Sequence, residues 1–104
     1  MIKIEFYKNG YITTGHSDGL TCAQISAMQY VIEGAILAVD KKAKCKDGGS
    51  GTGYTALIGE NETAIKLLNN YKKDIKKWLQ SEVNANKYKI IDKNEKIIWE
   101  DILK

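Results

Sequence analysis

The chain contains one histidine, His16, and it stands six residues ahead of a cysteine, Cys22. A thiol and an imidazole this close in sequence are the parts of a nucleophilic pair, in which the base takes the proton and the thiolate attacks a carbonyl. Thr21 and Gln24 have capping-box spacing. That register predicts Thr21 as the N-cap of a helix and Cys22 as its first residue. Unpaired amides and the positive end of the helix dipole would then surround the sulfur, a setting that favours a thiolate. Amides around Cys22 and Ala23 would supply an oxyanion site. Packing explains the same cysteine equally simply, because free cysteines are among the most buried residues.

Two neighbours have a similar choice of roles. Ser26 sits one helical turn beyond Cys22. It either donates toward the thiolate or bonds to the carbonyl four residues back. Asp18 either orients the imidazole, as the third member of a triad does, or caps a turn ahead of Gly19. The second cysteine, Cys45, lies in a lysine-rich stretch with nothing nearby to activate it, and reads as structural.

The elements that must position these residues are legible in the periodicities. Ile2, Ile4 and Phe6 alternate with Lys3, Glu5 and Tyr7, as in a half-buried strand. Asn9-Gly10 signals a two-residue hairpin turn, and Tyr11 to Thr14 returns as a second strand with Gly15 and His16 at its end. A helix is expected from about Thr21 to Asp40, with Cys22, Ile25, Met28, Ile32, Ala35, Ile36 and Val39 on one apolar stripe. Lys41 to Asp47 reads as a basic exit. The glycine-rich run 48–53 reads as a hairpin tip or a flap over the cleft, and Tyr54 to Ile58 as a strand. Asn61 is placed to cap a second helix, Glu62 to about Gln80, buried through Ala64, Leu67, Leu68, Tyr71, Ile75, Trp78 and Leu79. Tyr88 and Ile90 alternate as a further strand. The tail, Lys96 to Leu103, is apolar enough to be a short helix, a closing strand or part of a dimer interface.

The order strand, strand, helix, strand, helix, strand predicts an α+β two-layer sandwich. Both helices would cover one face of a mostly antiparallel four-stranded sheet. With 104 residues, no repeats and no linker, the chain is expected to form one domain, residues 1–104. The start of the chain does not resemble a signal peptide, and no apolar run is expected to span a membrane. Two cysteines without an export signal point to free thiols in a cytoplasmic setting. The sixteen basic residues are all lysines and the net charge is +3, so no arginine fork is available for specific nucleic-acid recognition. No residue pattern calls for a metal or a cofactor.

At the residues that carry the chemistry, the chain resembles a known family. The segments MIKIEFYKNGYITTGH and LTCAQISAMQYVIEGAI place Gly-His at the end of a second strand and Cys-Ala-x-Ile-Ser at a helix start. This pattern is similar to that of the bacterial ribosomal-processing cysteine proteases, the Prp family. The resemblance covers the N-terminal half by motif and the remainder by the order of elements. It implies a cysteine endopeptidase with Cys22 as nucleophile and His16 as general base, acting as a homodimer. Its substrate would be a peptide, the short N-terminal extension of a large-subunit ribosomal protein. Phage proteins of the same type act on capsid or scaffold proteins. The segment between the pair, SDGLT, is shorter than the family's loop, and the acid the family carries three positions before the cysteine is Gly19 here. These departures motivate a second reading, a non-catalytic dimeric binding or assembly module of the same fold.

Overall fold

A computed structural model describes residues 1–16, 18–47, 53–56, 61–80 and 88–96. Strand β1 (Ile2–Tyr7) turns into β2 (Gly10–Gly15), and helix α1 (Gly19–Val39) follows. Strands β3 (Lys44–Asp47) and β4 (Gly53–Ala56) come next, then helix α2 (Glu62–Gln80) and β5 (Tyr88–Asp92). The sheet has the order β3-β4-β2-β1-β5. Strands β1 and β2, β2 and β4, and β3 and β4 pair antiparallel, whereas β1 and β5 pair parallel.

The α+β class and both helices are as expected, but the sheet is five-stranded and mixed where four strands were anticipated. The additional strand is β3, which the sequence presented as a basic exit. Its four residues, KCKD, lie at the sheet edge and lack the β-branched alternation of an interior strand. Lysines on a short edge strand discourage pairing with other chains, and so hide the strand's sequence signal. Cys45 pairs with Thr55 of β4. The hairpin turn also differs: Lys8 and Asn9 form it, and Gly10 opens β2 opposite Tyr7. The glycine-rich run up to residue 52, the end of the strand read as Tyr54 to Ile58, and the tail from residue 97 lie outside the described residues.

Period-two alternation sends Ile2, Ile4 and Phe6 to one face of β1, all of them buried, while Lys3, Glu5 and Tyr7 line the other. Tyr11 and Thr13 of β2 join the inward face. Both helices pack there, with Ile25 and Ile36 from α1 and Ala64, Leu68, Tyr71, Ile75 and Leu79 from α2. Burying an aliphatic or aromatic side chain of this size contributes about 1.5–3 kcal/mol, so this layer holds the fold. Phe6, Tyr11 and Tyr71 form a three-ring cluster at its centre, with centroids 5.5–6.2 Å apart.

Polar groups fix the helices in register. The Gln29 carboxamide donates to the Thr13 hydroxyl at 2.6 Å, and the Tyr11 hydroxyl donates to Glu33 at 2.7 Å, both tying α1 to β2. Asn61 caps α2 as expected, its Oδ1 accepting from the Ala64 amide at 2.9 Å. Its Nδ2 donates to the Val39 carbonyl at 2.9 Å, so one side chain joins the end of α1 to the start of α2.

Helix α1 is more apolar than expected. With 21 residues it is long and apolar enough, by length and composition alone, to cross a membrane. Glu33 is its single charged residue. Its inward stripe is the anticipated one through Cys22, Ile25, Met28, Ile32 and Ile36, but its opposite face is uncharged as well.

Candidate active site

Strand β2 ends at Gly15, where the backbone has φ +90°. A side chain there would meet the Met1 carbonyl oxygen at 2.2 Å, so the position is open only to glycine. His16 follows directly. Its carbonyl oxygen accepts from the Met1 amino group at 2.5 Å, and its side chain is exposed. Hydrogen bonding at the β1–β2 end of the sheet thus extends to the backbone of the histidine.

The helix begins earlier than the capping-box register implied. Asp18, not Thr21, is the N-cap: its carboxylate accepts from the Thr21 amide at 2.9 Å and from the Thr21 hydroxyl at 3.0–3.1 Å. An aspartate is as good a cap as a threonine and adds a negative charge at the positive end of the dipole. Asp18 is therefore engaged as a cap, the turn role of its two sequence-level alternatives. Cys22 moves from the first to the fourth helical position, and its amide closes the first helical rung on the Asp18 carbonyl at 3.0 Å. In a helix capped this way the amides ahead of that rung are those of Gly19, Leu20 and Thr21, and Thr21 is taken by Asp18. Gly19 and Leu20 replace Cys22 and Ala23 as the donors this helix start offers.

Cys22 is half-buried and packs against the core cluster, while Ala23 and Ser26 are exposed. His16 directly follows β2, and Cys22 lies in the opening turns of α1, the next element of the chain.

Burial pushes Glu5 up, but hydrogen bonds from Lys3 and Tyr7 and the charges of Lys3 and Lys93 outweigh it and hold the carboxylate below its usual range. Burial and the Glu5 carboxylate push the Tyr7 phenol up to about 12. Burial likewise raises Tyr71. The Tyr71 hydroxyl lies in the core without a hydrogen bond of good geometry, since the nearby Gln29 amide donates to Thr13. At the hairpin end of the sheet, Phe6, Leu68, Lys72, Asp92 and Asn94 line an open cleft of about 290 Å³, with Lys72 paired to Asp92 and lying over the Phe6 ring. Sequence reasoning did not single out this cleft, because its lining comes from three elements far apart in the chain.

An α+β layer of this topology, with a histidine ending one strand and a cysteine opening the next helix, is the class of scaffold the fold defines. Solved structures share this fold. The chain is similar to the Staphylococcus aureus ribosomal processing protease Prp in complex with a covalently linked product peptide, at TM-score 0.77 and 17% identity, covering 89% of this chain and 100% of that one. The same protease in complex with a substrate peptide gives 0.76 at 15% identity with the same coverage. A Streptococcus mutans protein gives 0.61 at 18% identity, covering 89% of this chain and 99% of that one. At these identities the likeness is one of fold. No family model matches the chain, and no curated protein matches it in sequence.

Proposed function

We propose that this chain is a cysteine endopeptidase that removes a short N-terminal segment from a large-subunit ribosomal protein. Cys22 is the nucleophile and His16 the general base. The observation that carries the reading is a histidine directly after β2 and a cysteine in the opening turns of α1, in a fold shared with proteases whose solved structures hold peptides. In the first half-reaction the Cys22 thiolate attacks the scissile carbonyl carbon and forms the C–S bond. His16, holding the proton taken from the thiol, delivers it to the leaving amine as the C–N bond breaks. Water then attacks the thioester, giving a proton to His16 and the acyl group to solution, and the thiol is restored. The amides of Gly19 and Leu20 are the helix-start donors suited to the oxyanion, with Ala23 and Ser26 bordering the sulfur along α1. Asp18 holds the helix start in place. The protein works in the cytoplasm as a homodimer.

The half-buried packing of Cys22 favours one rival, a binding module in which the thiol is a core contact. Incubating the protein with the host's ribosomal protein carrying its N-terminal extension, and reading the products by mass spectrometry, separates the two. Cleavage by wild type, lost in Cys22→Ala and in His16→Ala with folding retained, supports the protease. Equal cleavage by Cys22→Ala overturns it.

A further inference from the structure

Both helices lie on one face of the sheet, and no described helix or strand covers the other. Register fixes what that open face carries, because residues paired across strands point to the same side. Lys3 and Glu5 of β1 pair with Thr14 and Ile12 of β2, and Tyr7 pairs with Gly10. Lys89 and Ile91 of β5 stand beside Lys3 and Glu5. Lys93 follows β5 and reaches the same carboxylate. Through β4, Lys46 lines up with Ile12 and Lys44 with Gly10. All five lysines are exposed or half-buried.

Among the described residues, Glu5 is the single carboxylate on this face. Lys3 lies 3.1 Å from it and Lys93 3.7 Å, while Lys44 and Lys89 form no ion pair among the described residues. Five lysines against one glutamate leave the face at +4, whereas the whole chain nets +3, so the rest of the molecule nets −1. The protein's surplus positive charge is gathered here.

The lysines stand in two banks. Lys44 and Lys46 occupy the edge strand β3, and Lys3, Lys89 and Lys93 belong to β1 and β5 or directly follow β5. From β3 to β1 is three strand intervals, about 14 Å. Uncharged Ile12 and Thr14 lie between the banks, and Tyr7 joins them with its hydroxyl donating to Glu5 at 2.9 Å. An acidic peptide or an anionic lipid surface calls only for the charge. A flat shelf with an aromatic ring, set between ammonium groups, matches a strand whose phosphates lie outside flat bases. A duplex hides its base faces and gains nothing from the shelf. Lysines are point charges that contact phosphates and lack the fork that reads base edges.

We propose that the open face of the sheet binds single-stranded nucleic acid without reading its sequence, phosphates on the two lysine banks and bases over Tyr7 and Ile12. This does not rest on the protease reading, since Cys22 belongs to the helix layer behind the sheet.

The test is fluorescence anisotropy of a labelled oligouridylate of about 15 nucleotides, titrated with wild-type protein over a range of salt concentrations. Wild type should bind, with an affinity that falls steeply as salt rises. Lys44→Ala with Lys89→Ala should weaken binding about tenfold or more and flatten the slope of log K against log salt by about 1.4, roughly 0.7 for each lost phosphate contact. Lys73→Ala with Lys77→Ala, the same charge change on α2, should stay within about twofold of wild type, because the contact is local and not a matter of net charge. Tyr7→Leu should bind several-fold more weakly with the slope unchanged, the signature of lost stacking. Circular dichroism verifies folding. Should Tyr7→Leu misfold, competition decides the same point: polyglutamate of matched charge should displace the oligonucleotide poorly. No binding at low salt, equal losses in the sheet and α2 variants, or displacement by polyglutamate or anionic vesicles as effective as by unlabelled oligouridylate would each overturn the proposal.

Discussion

Replacing Gly15 by alanine tests how the histidine is presented. An L-residue at this positive φ costs about 1–2 kcal/mol in backbone strain. The added Cβ would lie 2.2 Å from the Met1 carbonyl oxygen, a backbone atom that no rotamer change can clear. Either the start of β1 or the end of β2 has to yield. That loosens the Ile2–Gly15 register and the bond from Met1 to the His16 carbonyl, a hydrogen bond being worth about 0.5–1.5 kcal/mol. The sum is about 1.5–3.5 kcal/mol, a large share of the stability of a domain this size. It corresponds to a fall in Tm of roughly 6–28 °C. Thermal and urea unfolding followed by circular dichroism measures it. Gly19→Ala is the control: a Cβ there meets nothing within 4 Å among the described residues, so its effect should stay within about 0.5 kcal/mol. Because His16 follows Gly15 directly, cleavage by Gly15→Ala should fall further than the loss of folded protein explains. A Gly15→Ala protein as stable as Gly19→Ala would refute the argument that this glycine holds the strand end in shape.

Asp18→Ala removes the cap of α1 and should cost about 1 kcal/mol, seen as a lower urea midpoint, with Asp18→Asn retaining most of it. The depressed Glu5 carboxylate stabilises the fold above the pKa of an unfolded glutamate, roughly 4.3, and this contribution is lost as pH falls through the folded value. The urea midpoint should therefore drop as pH falls below about 4.3, and drop less in Glu5→Gln. Tyr71→Phe removes a buried hydroxyl lacking a good hydrogen bond, so stability should be unchanged or raised by up to about 1 kcal/mol. A clear loss would mean that the hydroxyl is paired.

The strands and helices with strong periodicity could be read from the chain, and α2 runs over the expected residues from its Asn61 cap. Features set by tertiary pairing could not. The four residues of β3 carry two lysines and no β-branched side chain, and only β4 beside them makes them a strand. The start of α1 was misplaced because Thr21 and Asp18 are both good caps, and local sequence does not rank them. Their mutual hydrogen bonds show that the two cooperate, Thr21 serving Asp18. His16 and Cys22 could be singled out because each residue type is rare in the chain. The outer face of α1 escaped notice because a search for one apolar stripe ends once that stripe is found.

The parallel pairing of β1 with β5 has a consequence for how the chain folds. Ile2 lies beside Tyr88 and Ile4 beside Ile90, so β1 gains this neighbour only after everything between them in the chain has been synthesised. Until then the hairpin offers an open edge bearing Ile2, Ile4 and Phe6, and closure has to bring together segments far apart in sequence. Such long-range closure slows folding, and a nascent or truncated product ending before Tyr88 would leave that edge available for aggregation.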